Sequence, residues 1–279
     1  MRKKISEKNR FPHFDLLKEY WKIEVLLSAE PLFEDWSSNQ YTMEEYIDKF
    51  GFATWNLRGT FFSTQEMREE LGIQRLSVSS DTIDEEFALD FLQYAFNLIF
   101  RAVYVAKKER ARFEEDIIKA LIENIEELTR QLNTRFILDE NTDEMFLIYD
   151  DEVSNIATDS YPEIKASLVE YKKIDNRGDL KRKAEILCTL SKRLEDEEKK
   201  LVSTEFKSLC TDTTFLLNKA GIRHSTTNDP ISRATFDTMD PQELEMWYDR
   251  AYEMLLSCLV VCPYIDIKQE IKALRTSSK

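Results

Sequence analysis

The fold and the candidate site of this chain both depend on one stretch, Leu216-Leu217-Asn218-Lys219-Ala220-Gly221-Ile222-Arg223-His224. Apolar residues at helical spacing lead into it. An amphipathic helix that ends at Gly221 is therefore predicted, because glycine commonly terminates helices. Arg223 and His224 then stand side by side, and hydroxyl and amide side chains follow as far as Asp229. Any function inferred from the sequence has to explain this polar segment.

The composition of the chain indicates a globular, helical protein. Of its 279 residues, 42% are hydrophobic and 33% are charged, which is typical of folded rather than disordered chains. It contains only 5 glycines and 6 prolines. Since the turns of antiparallel sheets favour both residues, this shortage favours helices. The net charge of -14 disfavours a protein that coats nucleic acid nonspecifically, but it is compatible with a local basic site.

Neither a targeting segment nor a membrane span is expected, and the protein is predicted to be cytoplasmic. No apolar stretch follows Met1-Arg2-Lys3-Lys4, and the apolar runs fall short of the roughly 18 residues that a membrane span needs. Cys188, Cys210, Cys258 and Cys262 lie in helical patterns, so reduced thiols in the core are predicted. Cys258 and Cys262 share a helical face without a second Cys/His pair, so neither a metal nor a cofactor is expected.

The chain is predicted to be all-α, with a helical accessory module followed by a multi-helix bundle. Residues 1–78 are rich in aromatic residues and short helical patterns, which suit a docking module or a simple extension of the core. A serine-rich break marks the expected boundary, and residues 79–279 form the bundle. Short β-prone runs near 135–149 predict one small β-hairpin as an excursion from the helical chain.

Start and stop signals place the helices of the first half. Thr42 and Ser63 each stand three residues before a glutamate, and this spacing predicts capping boxes at two helix starts. Two long amphipathic patterns follow, over about 84–108 and 111–133, and they predict a helical hairpin.

Prolines mark the helices of the second half. Pro162 is expected to open a helix that runs to about Ile174. Asp240-Pro241 combines an N-cap with proline at the first helical position and predicts a strong helix start. Pro263 is expected to end that helix, with a shorter basic helical tail after it.

Arg223 and His224 have two interpretations. As capping charges, they would interact favourably with the negative end of the helix dipole. As a catalytic pair, histidine could move a proton near neutral pH while arginine stabilised a phosphate or its transition state. Asn218, Lys219 and Asn228 would add donors nearby. Together these residues provide the smallest set of side chains that could cleave RNA without a metal ion.

The order of several segments resembles that of bacterial HEPN-domain proteins of the abortive-infection (AbiJ-like) type. These segments are Leu217–His224, the polar residues Ser225–Asp229, the turn Asn176-Arg177-Gly178-Asp179 and the helix Glu243–Asp249. The resemblance covers roughly residues 80–275. It implies a helical bundle that forms a homodimer, in which two motifs face each other across one metal-independent ribonuclease cleft. Typical members act in phage defence or as toxins that degrade RNA.

The resemblance also implies roles for individual residues. His224 would be the acid or base, Arg223 the anion stabiliser and Asn218 a further catalytic residue, while Lys219 and Asn228 would bind the substrate. The family places an arginine, then four to six residues, then the histidine. Here a leucine and Lys219 occupy the positions where that arginine most often stands.

Two alternatives remain beside a ribonuclease or RNA-binding effector. The first is a catalytically inactive helical interaction or regulatory subunit of a defence complex, which the net charge of -14 favours. Its partners would be proteins of the defence system rather than RNA. The second is a nucleotide sensor built on the same basic site, although no phosphate-binding glycine loop is present in the sequence.

Overall fold

The computed structural model describes most of the chain and shows a mainly helical protein. The described residues are 15–76, 82–139, 142–220, 222 and 238–277. Two compact units divide the chain, an N-terminal unit (Met1–Leu147) and a C-terminal unit (Ile148–Lys279).

The elements alternate between long helices and short connecting structures. The helices are α1 (Leu16–Ser28), α2 (Met43–Phe50), α3 (Thr64–Glu70), α4 (Glu85–Glu109), α5 (Glu115–Gln131), α6 (Glu152–Ser160), α7 (Lys165–Tyr171), α8 (Leu180–Val202), α9 (Lys207–Lys219) and α10 (Pro241–Ser277). The strands are β1 (Phe33–Glu34), β2 (Gln40–Tyr41), β3 (Arg112–Phe113), β4 (Thr134–Asp139) and β5 (Glu144–Tyr149). Short 3-10 turns are Phe52–Thr54, Asn56–Arg58, Pro162–Ile164 and Ile174–Asn176.

The N-terminal unit is built on a hydrophobic core that the aromatic segment shares with the long helices. The ring centroids of Tyr20 in α1 and Phe91 in α4 lie 4.6 Å apart, and Tyr46 of α2 is buried in the same cluster. The division of the chain therefore falls between Leu147 and Ile148, not near the expected boundary at residue 78. The physical reason is that the aromatic side chains bury their surface against α4 instead of forming a separate module.

Side-chain caps begin the helices where the sequence predicts them. Thr42 Oγ1 accepts a hydrogen bond from the Glu45 amide at 3.3 Å, and the Glu45 carboxylate accepts one from the Thr42 amide at 2.9 Å. This is the predicted capping box. Ser63 accepts from the Glu66 amide at 3.1 Å, but the Glu66 carboxylate accepts from the Phe62 amide at 2.7 Å, so the second predicted capping box is only half formed. Asp84 caps the start of α4.

A buried ion-pair network joins α1, α2 and α3. Arg68 Nη2 lies 2.7 Å from Glu24 Oε2, and Arg68 Nη1 lies 2.8 Å from Glu44 Oε1. Glu24 is fully buried and Arg68 is 5% exposed. The Tyr94 hydroxyl donates to Glu44 at 2.9 Å, and Arg68 Nε donates to the Ile73 carbonyl at 3.1 Å. These bonds supply the extra partners that buried ions need.

Two small sheets interrupt the helices. β4 and β5 form a two-stranded sheet, which confirms the predicted hairpin. β1 pairs antiparallel with both β2 and β3, so that Phe33 lies opposite Tyr41 on one side and Phe113 on the other. The sequence did not predict this second sheet, because strands of two residues are too short to show an alternating pattern.

The C-terminal unit is a helical bundle with its core between α8 and α10. Leu187, Leu190, Leu255 and Leu259 are fully buried there. Their spacing of three and four residues gives each helix a continuous apolar stripe.

The start of this bundle differs from the prediction. An additional helix, α6, is capped by Asp151, whose carboxylate accepts from the Ser154 amide at 2.6 Å. Pro162 opens a 3-10 turn that leads into α7, and α7 ends at Tyr171 rather than continuing to Ile174.

α10 continues through Pro263, so the expected helix end at this proline is wrong. A proline inside a helix leaves the carbonyl four residues earlier without its amide donor. That carbonyl belongs to Leu259, and the Tyr161 hydroxyl donates to it at 3.3 Å. A tertiary hydrogen bond thus replaces the missing helical one, and the apolar face of the helix can extend past the proline.

Candidate functional site

The end of α9 is closed by hydrogen bonds and anchored in the core. The Ala220 amide donates to the Leu216 carbonyl at 2.9 Å, and the Ile222 amide donates to the Leu217 carbonyl at 3.0 Å. The second bond spans the six-residue ring of a Schellman ending, a motif that most often includes a glycine. Ile222 is 1% exposed and belongs to the same core cluster as Leu217. The chain is therefore fixed at the residue that precedes Arg223 in the sequence.

Two buried polar atoms of α9 have no hydrogen-bond partner among the residues that the structure describes. These are Thr214 Oγ1 and Asn218 Oδ1. The two residues are four apart, so they lie on the same helix face. A buried acceptor without a partner costs about 1–3 kcal/mol, and a ligand-binding role is one reason for a protein to keep one. Asn218 was a predicted catalytic residue, whereas Thr214 was missed because it belongs to no recognisable motif.

An exposed aromatic ring and a lysine lie together on the last turns of α9. Phe215 is 60% exposed, and Lys219 Nζ lies 5.9 Å from the centroid of its ring. An exposed ring can stack on an unpaired base, while an ammonium group can pair with the adjacent phosphate. Lys219 was a predicted substrate-binding residue. Phe215 was not predicted, because an aromatic residue in a helical pattern is usually part of the core.

The other predicted site residues, Arg223, His224 and Asn228, lie outside the described residues. Their grouping with Asn218 and Lys219 remains a prediction from the sequence.

A second polar cluster joins α7, α8 and α10. Lys183 Nζ, which is almost fully buried, lies 2.7 Å from Glu245 Oε1 and 2.8 Å from Asp249 Oδ1. The Tyr171 hydroxyl donates to Asp249 at 2.9 Å, and the Gly178 amide donates to Glu245 at 2.8 Å. The cluster thus ties the turn at 176–179 to helix α10. The sequence did not reveal it, because its members are separated by long stretches of chain.

The protonation of this cluster favours a structural role. Burial raises the pKa of Tyr171, and the neighbouring Asp249 carboxylate raises it further. Burial also acts to raise the pKa of Glu245, but hydrogen bonds from Lys183 and Gly178 outweigh it, so the net pKa lies below the ordinary value. The Glu245 carboxylate is therefore ionised at neutral pH and already holds its partners, a poor arrangement for proton transfer.

The cysteines are packed rather than reactive. Cys210, Cys258 and Cys262 are buried, and Cys188 is half-buried. Burial raises the pKa of the Cys258 and Cys262 thiols to about 11, so both are protonated at neutral pH. Across the described ranges, no group of three or more His, Cys, Asp or Glu side chains could hold a metal ion.

Among the described residues, no helix combines the length and the apolar character that crossing a membrane requires.

No protein-family model, curated protein or solved structure matches this chain. The resemblance to HEPN-domain proteins therefore depends on the motif residues alone.

Proposed function

We propose that the C-terminal unit is a HEPN-like domain that binds RNA and cleaves it without a metal ion, as an effector of bacterial phage defence or as a toxin. The end of α9 carries this proposal. There, an exposed aromatic ring, a lysine and an unpartnered amide oxygen directly precede the Arg223-His224 pair in the sequence.

Each described residue at this helix end suits one part of an RNA strand. The Phe215 ring would stack on an unpaired base, and Lys219 would pair with a backbone phosphate. Asn218 Oδ1 is buried and has no donor among the described residues, so a ribose 2′-hydroxyl or a base N–H would reach it only after the side chain turns outward.

His224 and Arg223 would then supply the chemistry. His224 would take the proton from a 2′-hydroxyl, whose oxygen attacks the adjacent phosphorus, or would give a proton to the departing 5′-oxygen. The attack forms a cyclic 2′,3′-phosphate and breaks the bond to that 5′-oxygen. Arg223 would stabilise the charge that develops on the phosphorus centre.

The charge distribution along the chain supports a local RNA site. The protein has 53 acidic residues against 39 Lys and Arg, yet no aspartate or glutamate lies between Asp212 and Asp229. Lys219, Arg223 and His224 all lie in this segment. A phosphate at this segment would therefore meet no carboxylate from the same stretch of sequence. The stretches between Asp48 and Glu66 and between Asp90 and Glu109 also lack carboxylates, so it is the Arg223-His224 pair that distinguishes this segment.

The experiment is an RNA cleavage assay with purified protein in the presence of EDTA. Labelled single-stranded RNA is incubated with wild type, His224→Ala and His13→Ala, since the chain has only these two histidines. We expect cleavage by wild type and His13→Ala, and a loss of about 100-fold or more in rate for His224→Ala. Equal rates for wild type and His224→Ala would rule out the catalytic assignment.

The second candidate function is an inactive helical subunit that binds other proteins. The net charge of -14 favours it, because an acidic protein repels the phosphates of RNA. On this alternative, RNA remains intact in the assay above, and the protein forms a stable complex with a partner from its own host.

A further inference from the structure

The end of α10 carries an apolar stripe that the described part of the protein leaves exposed. The helix runs to Ser277, and every residue over 266–276 is exposed. Ile267, Ile271 and Leu274 are 53%, 42% and 66% exposed. Single exposed apolar side chains are common, but a contiguous row of them on one helix face is typical of an interaction site.

The spacing of this stripe is that of a coiled coil. Tyr264, Ile267, Ile271 and Leu274 follow each other at intervals of three, four and three residues. These intervals place Tyr264 and Ile271 at heptad positions a, and Ile267 and Leu274 at positions d. A β-branched residue at position a with leucine at position d, as in the last heptad, favours a parallel coiled coil of two helices.

The charged residues beside the stripe specify which helix would pack there. In a parallel pair, position g of one helix meets position e of the next heptad on its partner, five residues further along the sequence. Position g is Glu270 and the following e is Arg275, so two copies of this helix would form two Glu–Arg pairs by symmetry. In an antiparallel pair, position e of one helix would face position e of the other. Lys268 would then lie near Arg275, and their positive charges would repel each other.

Glu270 and Arg275 also lack suitable charge partners within their own helix. The residues three and four positions away from Glu270 are Asp266, Ile267, Ala273 and Leu274, none of which is basic. Around Arg275, the same positions hold no acidic residue. By contrast, Lys268 at the other e position already pairs with Glu205 of the same unit. The g–e pair is therefore available for contact with another copy.

We propose that two copies of this protein associate through a parallel, in-register coiled coil formed by the exposed ends of their α10 helices. The contact is short, because 11 exposed residues span about 16 Å of helix. Such an interface falls below the size of stable permanent complexes, so the dimer is of the weak, concentration-dependent class. This proposal is independent of the RNA site.

The test uses cysteine cross-linking. In a parallel, in-register pair, residue 274 of one chain meets residue 274 of the other, so Leu274→Cys should form a disulfide-linked dimer in oxidised glutathione. Gln269 occupies position f on the outer side, so Gln269→Cys is the matched control and should form no disulfide-linked dimer. The wild-type protein shows how much cross-linking the native cysteines cause by themselves. Absence of the Leu274→Cys dimer, or equal cross-linking of both variants, would overturn the proposal.

Charge exchange tests the register separately. Glu270→Arg and Arg275→Glu should each reduce the fraction of dimer in sedimentation experiments, since each places like charges opposite one another. The double variant should restore the wild-type fraction. If the double variant associates no better than the single ones, the parallel pairing is wrong. Because His224 does not take part, His224→Ala should dimerise like wild type, which separates this test from that of the RNA site.

Discussion

The hydrogen bond from Tyr161 to Leu259 allows a sharp test of how α10 passes through Pro263. Tyr161→Phe removes the hydroxyl that donates to the Leu259 carbonyl at 3.3 Å. The ring remains, and with it the contact to the Arg193 guanidinium, whose carbon lies 4.6 Å from the ring centroid. The substitution therefore removes one donor and little packing.

The cost of this substitution should depend on the proline. With Pro263 present, Tyr161→Phe leaves the Leu259 carbonyl without a donor, and an unpaired buried acceptor costs about 1–3 kcal/mol. In a Pro263→Ala background, the amide of residue 263 can donate to the same carbonyl. The hydroxyl is then an additional donor, and its loss should cost less than about 1 kcal/mol. We expect a coupling energy of about 1–2 kcal/mol between the two positions.

Urea denaturation of the four proteins, followed by circular dichroism, provides the free energies of unfolding. Wild type, Tyr161→Phe, Pro263→Ala and the double variant form a complete cycle, and equal m-values would validate the comparison. Pro263→Ala by itself should stabilise the protein, because proline is unfavourable inside a helix. If Tyr161→Phe costs the same in both backgrounds, the hydroxyl does not replace the missing helical bond.

Two further predictions concern the N-terminal unit. Arg68→Met should reduce the free energy of unfolding by about 3–5 kcal/mol, because it removes the buried ion-pair partner of the buried Glu24. Arg75→Ala should reduce it by at most about 1 kcal/mol. Arg75 is 52% exposed and contacts the same carboxylate at 3.5 Å, so equal losses in urea denaturation would contradict the role of burial. A hydrogen bond from the Asn39 side chain, with others from neighbouring groups, lowers the pKa of Asp35 from 3.8 to about 2. Because its pKa is lower in the folded state, ionised Asp35 stabilises the fold above pH 3.8, and this contribution disappears as the pH falls through about 2. An NMR titration of Asp35 with a midpoint near 3.8 would contradict the lowered pKa.

Local signals in the sequence predicted the helix starts well. Thr42 and Ser63 cap the helices expected from them, because an N-cap depends on residues only three positions apart. The predicted hairpin formed by β4 and β5 is equally local. Helical patterning predicted an end at Gly221, and α9 ends two residues earlier, at Lys219.

Features that depend on distant residues were missed. Pro263 looks like a helix terminator until the hydroxyl of Tyr161, far away in the sequence, is known to replace its missing bond. The boundary near residue 78 differs from the structure because Tyr20 packs against Phe91 across that break. At the candidate site, Asn218 and Lys219 were predicted from their motif. The exposed ring of Phe215 was not, since burial cannot be determined from the apolar pattern of one helix.

Binding of RNA at the end of α9 is tested most directly by the dissociation constant of labelled single-stranded RNA, measured by fluorescence anisotropy. Phe215→Ala removes the exposed ring (60%) beside Lys219, and Phe62→Ala removes a more exposed ring (85%) from the N-terminal unit as the control. Loss of one stacked base costs about 1–3 kcal/mol. We therefore predict roughly 5- to 150-fold weaker binding for Phe215→Ala, at fixed salt, and no change for Phe62→Ala. Equal affinity for wild type and Phe215→Ala would contradict an RNA site at this helix end.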